Sequence, residues 1–225
     1  MSTQTDINNT PTPRLTLVVA ILVAANVAFF LLTLITNTDP TRAFGLSVAP
    51  FAEATNPFSW LWSLRLLVLH SFFHENWGHL IPNMMFLLAF GPILEFRVGS
   101  RAFAYLYGTA ILVSGLFSLY MHPAPDIESG EAIVALIGAS GAISAVIAAV
   151  LLTAPRTVLM VVGGYVIQSW MMAVLFFVYQ ATQLALPGAM ADSVGIHMIG
   201  ALSGLAFIVG QKVRAHSGST DAQGQ

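Results

Sequence analysis

Residues 132–155 read AIVALIGASGAISAVIAAVLLTAP, an uncharged run with the element Gly138-Ala139-Ser140-Gly141 near its middle. As a helix rising 1.5 Å per residue, a run of this length crosses the ~30 Å hydrocarbon core of a bilayer. It is read as a membrane-spanning helix, and it carries a hydroxyl at Ser140 in a setting where lipid offers no partner. A later uncharged run, 193–211, holds a solitary His197. A hydroxyl and an imidazole placed inside two such helices are poor lipid-facing groups and a candidate nucleophile and base.

The same reading extends over the whole chain. Asp, Glu, Lys and Arg leave six long gaps, 15–38, 76–94, 102–125, 132–155, 157–191 and 193–211, each of at least 19 residues. Of the 225 residues, 56% are hydrophobic and 8% charged, against roughly 25% charged in a soluble domain. The expected fold is an all-α membrane protein, a bundle of six transmembrane helices in one domain over 15–211. A cytoplasmic N-terminal tail, 1–14, and a disordered cytoplasmic tail, 212–225, flank it. Met1 to Arg14 is polar with a single positive charge, so the first gap is expected to remain as a helix and not to be removed as a signal peptide. The absence of cysteine excludes disulfides and thiolate metal sites, and a net charge of −2 argues against nucleic acid as a partner.

With the N-terminus in the cytoplasm, six spans put Arg14, Arg97, Arg101, Arg156, Lys212 and Arg214 inside and only Arg42 and Arg65 outside. That asymmetry is the positive-inside pattern, so both termini are assigned to the cytoplasm. Asp39, Glu53, Glu75, Asp126, Glu128, Glu131 and Asp192 then fall on the exterior side. The long connection between the first two spans, roughly 37–75, carries Phe51, Phe58, Trp60, Trp62, Phe72 and Phe73. It is expected to lie partly within the outer interface.

In this orientation the second, fourth and sixth spans all start outside. His79, Ser140 and His197 follow the exterior acids by four to nine residues, which puts them about 6–14 Å below the outer helix ends. His79 and Asn83 share one helical face at i, i+4. Polar groups at one level in a bundle imply a hydrated cavity opening outward. Gly138, Gly141 and Ala145 on the fourth span and Gly200 and Gly204 on the sixth are small residues that let two backbones approach closely. Gly141 and Ala145 against Gly200 and Gly204 would bring Ser140 and His197 together.

These elements resemble the rhomboid intramembrane serine proteases over about residues 60–210. The matching pieces are the run His74 to Asn83, Glu95 through Ser100, Gly138-Ala139-Ser140-Gly141, and His197-Met198-Ile199-Gly200 followed by Gly204. The resemblance implies a catalytic dyad of Ser140 and His197, an oxyanion hole to which His79 and Asn83 contribute, and transmembrane proteins as substrates within the lipid bilayer. No cofactor or metal is called for, and a compact chain without a transit-like leader suggests a bacterial plasma membrane. Rhomboids commonly carry Tyr or Phe four residues after the serine, packed on the imidazole, and this chain has Ser144. Orientation of His197 is therefore expected to rest on other contacts, for the fourth and sixth spans hold no acid that would do it.

Other readings are weaker. His74 and His79 are five apart, so they do not share a helical face as a zinc-protease pair would, and no thiolate or set of carboxylates completes a metal site with them. No charge lies deep in any span to couple an ion, which disfavours a transporter. A catalytically silent rhomboid-like protein that binds and escorts membrane helices remains the alternative to an endopeptidase.

Overall fold

Helix α8 (Ser140–Thr153) runs through the centre of the bundle, and every residue from Gly141 to Val150 is buried. A helix apolar on all sides and rich in Ala is suited to that place, because neighbours can close on it from every direction. Around it stand α6 (Trp77–Val98), α7 (Ser100–Met121), α9 (Ser169–Ala185) and α10 (Ala191–Asp221), with α1 (Leu17–Thr36) packed on α6 and α7. The computed structural model describes residues 14–122, 135–185 and 191–221. Asp126, Glu128 and Glu131, counted above on the exterior side, lie outside the described residues, as do 1–13, 222–225 and the side chain of Asp192.

Among the described residues four helices are long and apolar enough to cross a membrane: α1, α6, α7 and the part of α10 from Ser193 to Val213. The chain is an integral membrane protein. Two elements depart from the uncharged gaps. The helix expected over 132–155 starts only at Ser140, because Gly138 has φ +105°, a conformation that does not continue a right-handed helix. With 14 residues α8 is about 21 Å long, shorter than the ~30 Å hydrocarbon core. The gap 157–191 opens not with a helix but with a hairpin, β1 (Val158–Val162) paired antiparallel to β2 (Tyr165–Gln168). Gly163 and Gly164 both have positive φ, the requirement of a tight two-residue hairpin turn, and the β-branched residues beside them favour strand.

Helix α10 continues to Asp221 through residues read from the sequence as tail. The connection 37–75 holds four short helices, α2 (Pro40–Phe44), α3 (Ala49–Ala52), α4 (Pro57–Leu64) and α5 (Leu66–Leu69), and a 3-10 turn, His70–Phe72. Asp39 caps α2 and Asn56 closes a capping box on α4. Phe58, Trp60 and Trp62 of α4 are turned outward, 50–76% exposed, and the Arg65 guanidinium lies 4.2 Å over the Trp62 ring.

At the other end, Glu95 ties three helices together. It is buried, and its carboxylate accepts from Thr16 Oγ1 at 2.5 Å, the Val18 and Val19 amides at 3.1 and 3.0 Å and Ser100 Oγ at 2.6 Å. It thereby satisfies the first-turn N–H groups of α1, which lack intrahelical carbonyls, from the last turn of α6.

Candidate active site

Ser140 is the first residue of α8. Its place at the helix start means no preceding turn offers a carbonyl to its hydroxyl, the bond in which a mid-helix serine is ordinarily consumed. Ser144, one turn on and fully buried, does make that bond, donating to the Ser140 carbonyl at 2.8 Å. The first intrahelical bond runs from Ile143 N to Ala139 O, so the amides of Ser140, Gly141 and Ala142 point out of the helix end without intrahelical acceptors. The positive end of the helix dipole lies there too, a setting that favours negative charge.

The loop leading to Ser140 is held from two directions. Leu136 and Leu46 exchange backbone hydrogen bonds of 2.8 Å, and Gly138 N donates to His70 O at 2.8 Å. Both anchors come from the 37–75 connection, which therefore fixes the approach to α8. The glycine at 138 is needed twice over. Its φ is +105°, and a Cβ there would stand 2.6 Å from Nε2 of His79. The His79 ring thus lies against the Gly138 backbone, two residues before Ser140.

His79 stands in the first turn of α6, where its amide is capped by the Asn76 side chain at 3.0 Å. One turn further, the buried Asn83 donates through Nδ2 to the His79 carbonyl at 2.8 Å. A side-chain amide has two N–H groups, so one remains for the cavity. Behind His79 the ring of His74 meets it edge to face at 4.9 Å between centroids. Burial, and secondarily His79, pushes His74 down to about 3. Burial likewise lowers His70 to about 4, against the opposing pull of the Leu66 carbonyl.

His197 stands on α10, whose approach to α8 is set by glycine. A Cβ on Gly200 would lie 2.9 Å from the Gly141 carbonyl carbon, and one on Gly204 would lie 2.8 Å from that of Ala145. The two backbones are in direct contact, as the small-residue spacing requires. From α9, the side-chain amide of buried Gln180 meets Nδ1 of His197, and the Phe176 ring lies 6.0 Å from the imidazole between centroids. Oxygen and nitrogen of a glutamine amide are assigned from their partners. Nε2 is the amide atom placed at Nδ1, which suits an unprotonated Nδ1; turning the amide brings Oε1 there, the acceptor that a protonated Nδ1 requires.

His79, Asn83, Ser140, Phe176, Gln180 and His197 all line one cavity of about 860 Å³. Among the described residues no hydrogen bond joins Ser140 Oγ to His197. Catalytic contacts of this kind are often long before substrate binds. The described residues hold no group of three or more His, Asp or Glu that could hold a metal ion.

Gln180 was not singled out from the sequence. The signal for Gln180 was present: an amide in an otherwise apolar run is as costly in lipid as a lone serine. It lies 17 residues before His197, which in two antiparallel helices joined by a short connection is the same depth.

The sequence profile of the rhomboid domain matches residues 59–211. The chain belongs to the rhomboid family. That family consists in the main of serine proteases that act within the membrane on membrane-protein substrates. Comparison with curated proteins gives no match. The rhomboid domain takes in α4 through the spanning part of α10, and with them every residue of the cavity described above.

Proposed function

We propose that this rhomboid is an intramembrane serine endopeptidase that cleaves peptide bonds in or near transmembrane helices through a dyad of Ser140 and His197. The observation that carries the reading is Ser140 at the open end of a buried helix, lining one cavity with His197, His79 and Asn83. His197 Nε2 takes the Ser140 proton as Oγ attacks the scissile carbonyl, and the same imidazole returns that proton to the leaving amine. An acyl-enzyme forms, and water activated by His197 releases the second fragment. The oxyanion is met by the Ser140 amide at the helix end and by side-chain N–H groups of His79 and Asn83; one such donor contributes roughly 3–4 kcal/mol.

Gln180 is the positioning residue. With its amide turned so that Oε1 takes the place of Nε2, Gln180 accepts the Nδ1 proton of His197 and fixes the tautomer that leaves the imidazole Nε2 free as base, the part an asparagine plays in Cys-His-Asn enzymes. Together with the Phe176 ring it supports the imidazole, where Ser144 offers no aromatic face.

In this reading α8 and α9 complete six crossings with the four longer helices, and both termini face the cytoplasm of a bacterial plasma membrane. Arg14, Arg97 and Arg156 share one end of the bundle, in keeping with a positive inner side. The test is cleavage of a single-span substrate in proteoliposomes. Wild type is expected to cut it, and Ser140→Ala and His197→Ala are expected not to. Binding of the substrate helix without cleavage by wild type would turn the reading to a silent escort.

A further inference from the structure

At the opposite end of α8 from Ser140 lies a second and larger cleft, of about 1630 Å³. The start of α1, the last turns of α6, the turn after α8 and the start of α9 enclose it. Its apolar wall is formed by Leu15, Pro92, Ile93, Phe96, Ala154 and Trp170, of which Phe96 is 80% and Leu15 61% exposed. Three guanidinium groups, Arg14, Arg97 and Arg156, line it, and no carboxylate does. The nearby acid, Glu95, is already committed to four hydrogen-bond donors. Arg97 spends one N–H on the Thr153 carbonyl at 2.8 Å, and among the described residues no carboxylate pairs with it.

Three cations beside an apolar trough ask for an occupant with an anion at one end and hydrocarbon at the other. We propose that this cleft is a binding site for an anionic phospholipid, its phosphate held by Arg97 and Arg156 with Arg14, its acyl chain along Leu15, Phe96 and Trp170. Arginine suits the task because its planar fork bonds two phosphate oxygens at once. The cleft exceeds the ~300–1,000 Å³ usual for small-molecule sites, which fits a headgroup with its upper acyl chain. A zwitterionic lipid brings its own cation to the same place and gains less. An arginine beside an anionic lipid surface contributes about a fivefold preference, so three give a preference on the order of a hundredfold. The site is independent of the Ser140 cavity and of whether that cavity is catalytic.

Trp170 supplies the readout. In mixed micelles of the full-length protein, its fluorescence, taken as wild type minus Trp170→Phe, is followed with phosphatidylglycerol or phosphatidylcholine brominated along the acyl chain. Phosphatidylglycerol is expected to quench at roughly a hundredfold lower mole fraction, and Arg97→Gln/Arg156→Gln to reduce that preference about 25-fold. Raising salt to ~1 M is expected to erode most of it in wild type, an arm that needs no variant to fold. Equal quenching by the two lipids, an undiminished preference in the double variant, or a preference indifferent to salt would overturn the proposal. Inorganic phosphate, which has no acyl chain, is expected to leave the quenching by phosphatidylglycerol unchanged at matched concentration. Displacement of the lipid by phosphate alone would show a simple anion site instead.

Discussion

Replacing Gly200 by alanine sets a methyl group against the Gly141 backbone. The added Cβ would stand 2.9 Å from the Gly141 carbonyl carbon and nearer still to its oxygen, where ordinary contact begins at 3.4 Å. Backbone of a buried helix cannot turn aside as a flexible side chain would, so α10 must retreat, by on the order of 1 Å, at a stability cost of about 1–3 kcal/mol. His197 stands three residues away on the same helix and moves with it. Misplacement of a catalytic group by ~1 Å lowers turnover by about a hundredfold. Gly210→Ala is the matched control: it lies on the same helix and a Cβ there meets nothing within 4 Å. The assay is cleavage of a single-span substrate in proteoliposomes, read together with thermal unfolding. Gly200→Ala is expected to lose about two orders of magnitude in kcat while Gly210→Ala keeps wild-type turnover. Full activity in Gly200→Ala, or an equal loss in Gly210→Ala, would refute the link between this contact and the position of the base.

Three further outcomes follow from single side chains. Gln180→Leu should lower kcat roughly 10- to 100-fold with little change in KM, whereas Gln180→Glu should retain activity and move the acid limb of the pH profile upward, since a carboxylate at Nδ1 favours the imidazolium; a leucine variant with wild-type kcat would remove Gln180 from the mechanism. His70 is held at about 4 from its ordinary 6.5 by burial, so below pH 6.5 the unfolded chain binds a proton that the native one refuses. Stability is complete above that pH and falls, by about 3 kcal/mol for this group, as pH drops from 6.5 toward 4; thermal unfolding across that range should show the slope, and His70→Gln should reduce it by this amount while the share of buried His74 remains. Glu95→Ala leaves two backbone amides and two hydroxyls without their acceptor and should destabilise the protein by about 3 kcal/mol, visible as a lowered melting temperature; an unchanged melting temperature would show that water replaces the carboxylate.

Charge spacing made the spanning helices legible, because a charged group in hydrocarbon costs too much to be placed there casually. It could not give the helix starts. Ala135 to Gly141 contains nothing but apolar and small residues, and the onset of α8 at Ser140 is decided by the φ of Gly138 and by three long-range hydrogen bonds, two with Leu46 and one to His70. The hairpin of residues 158–168 escaped for a related reason. An apolar run in a membrane context reads as helix, and only Gly163-Gly164 between β-branched residues spoke for a turn. Within the cavity, Ser140, His79, Asn83 and His197 stood out because polar groups in a lipid-spanning run need a partner. Gln180 satisfies the same criterion, but its pairing with His197 depends on how α9 lies beside α10, which counting along one helix does not provide.

The most direct test of the dyad is covalent. Full-length protein in bilayers is treated with a fluorophosphonate and the labelled residue is mapped by peptide sequencing. The expected result is a single adduct on Ser140, strongly reduced in His197→Ala. Wild-type protein that takes no label, or takes it at another serine, would contradict the assignment of Ser140 as nucleophile.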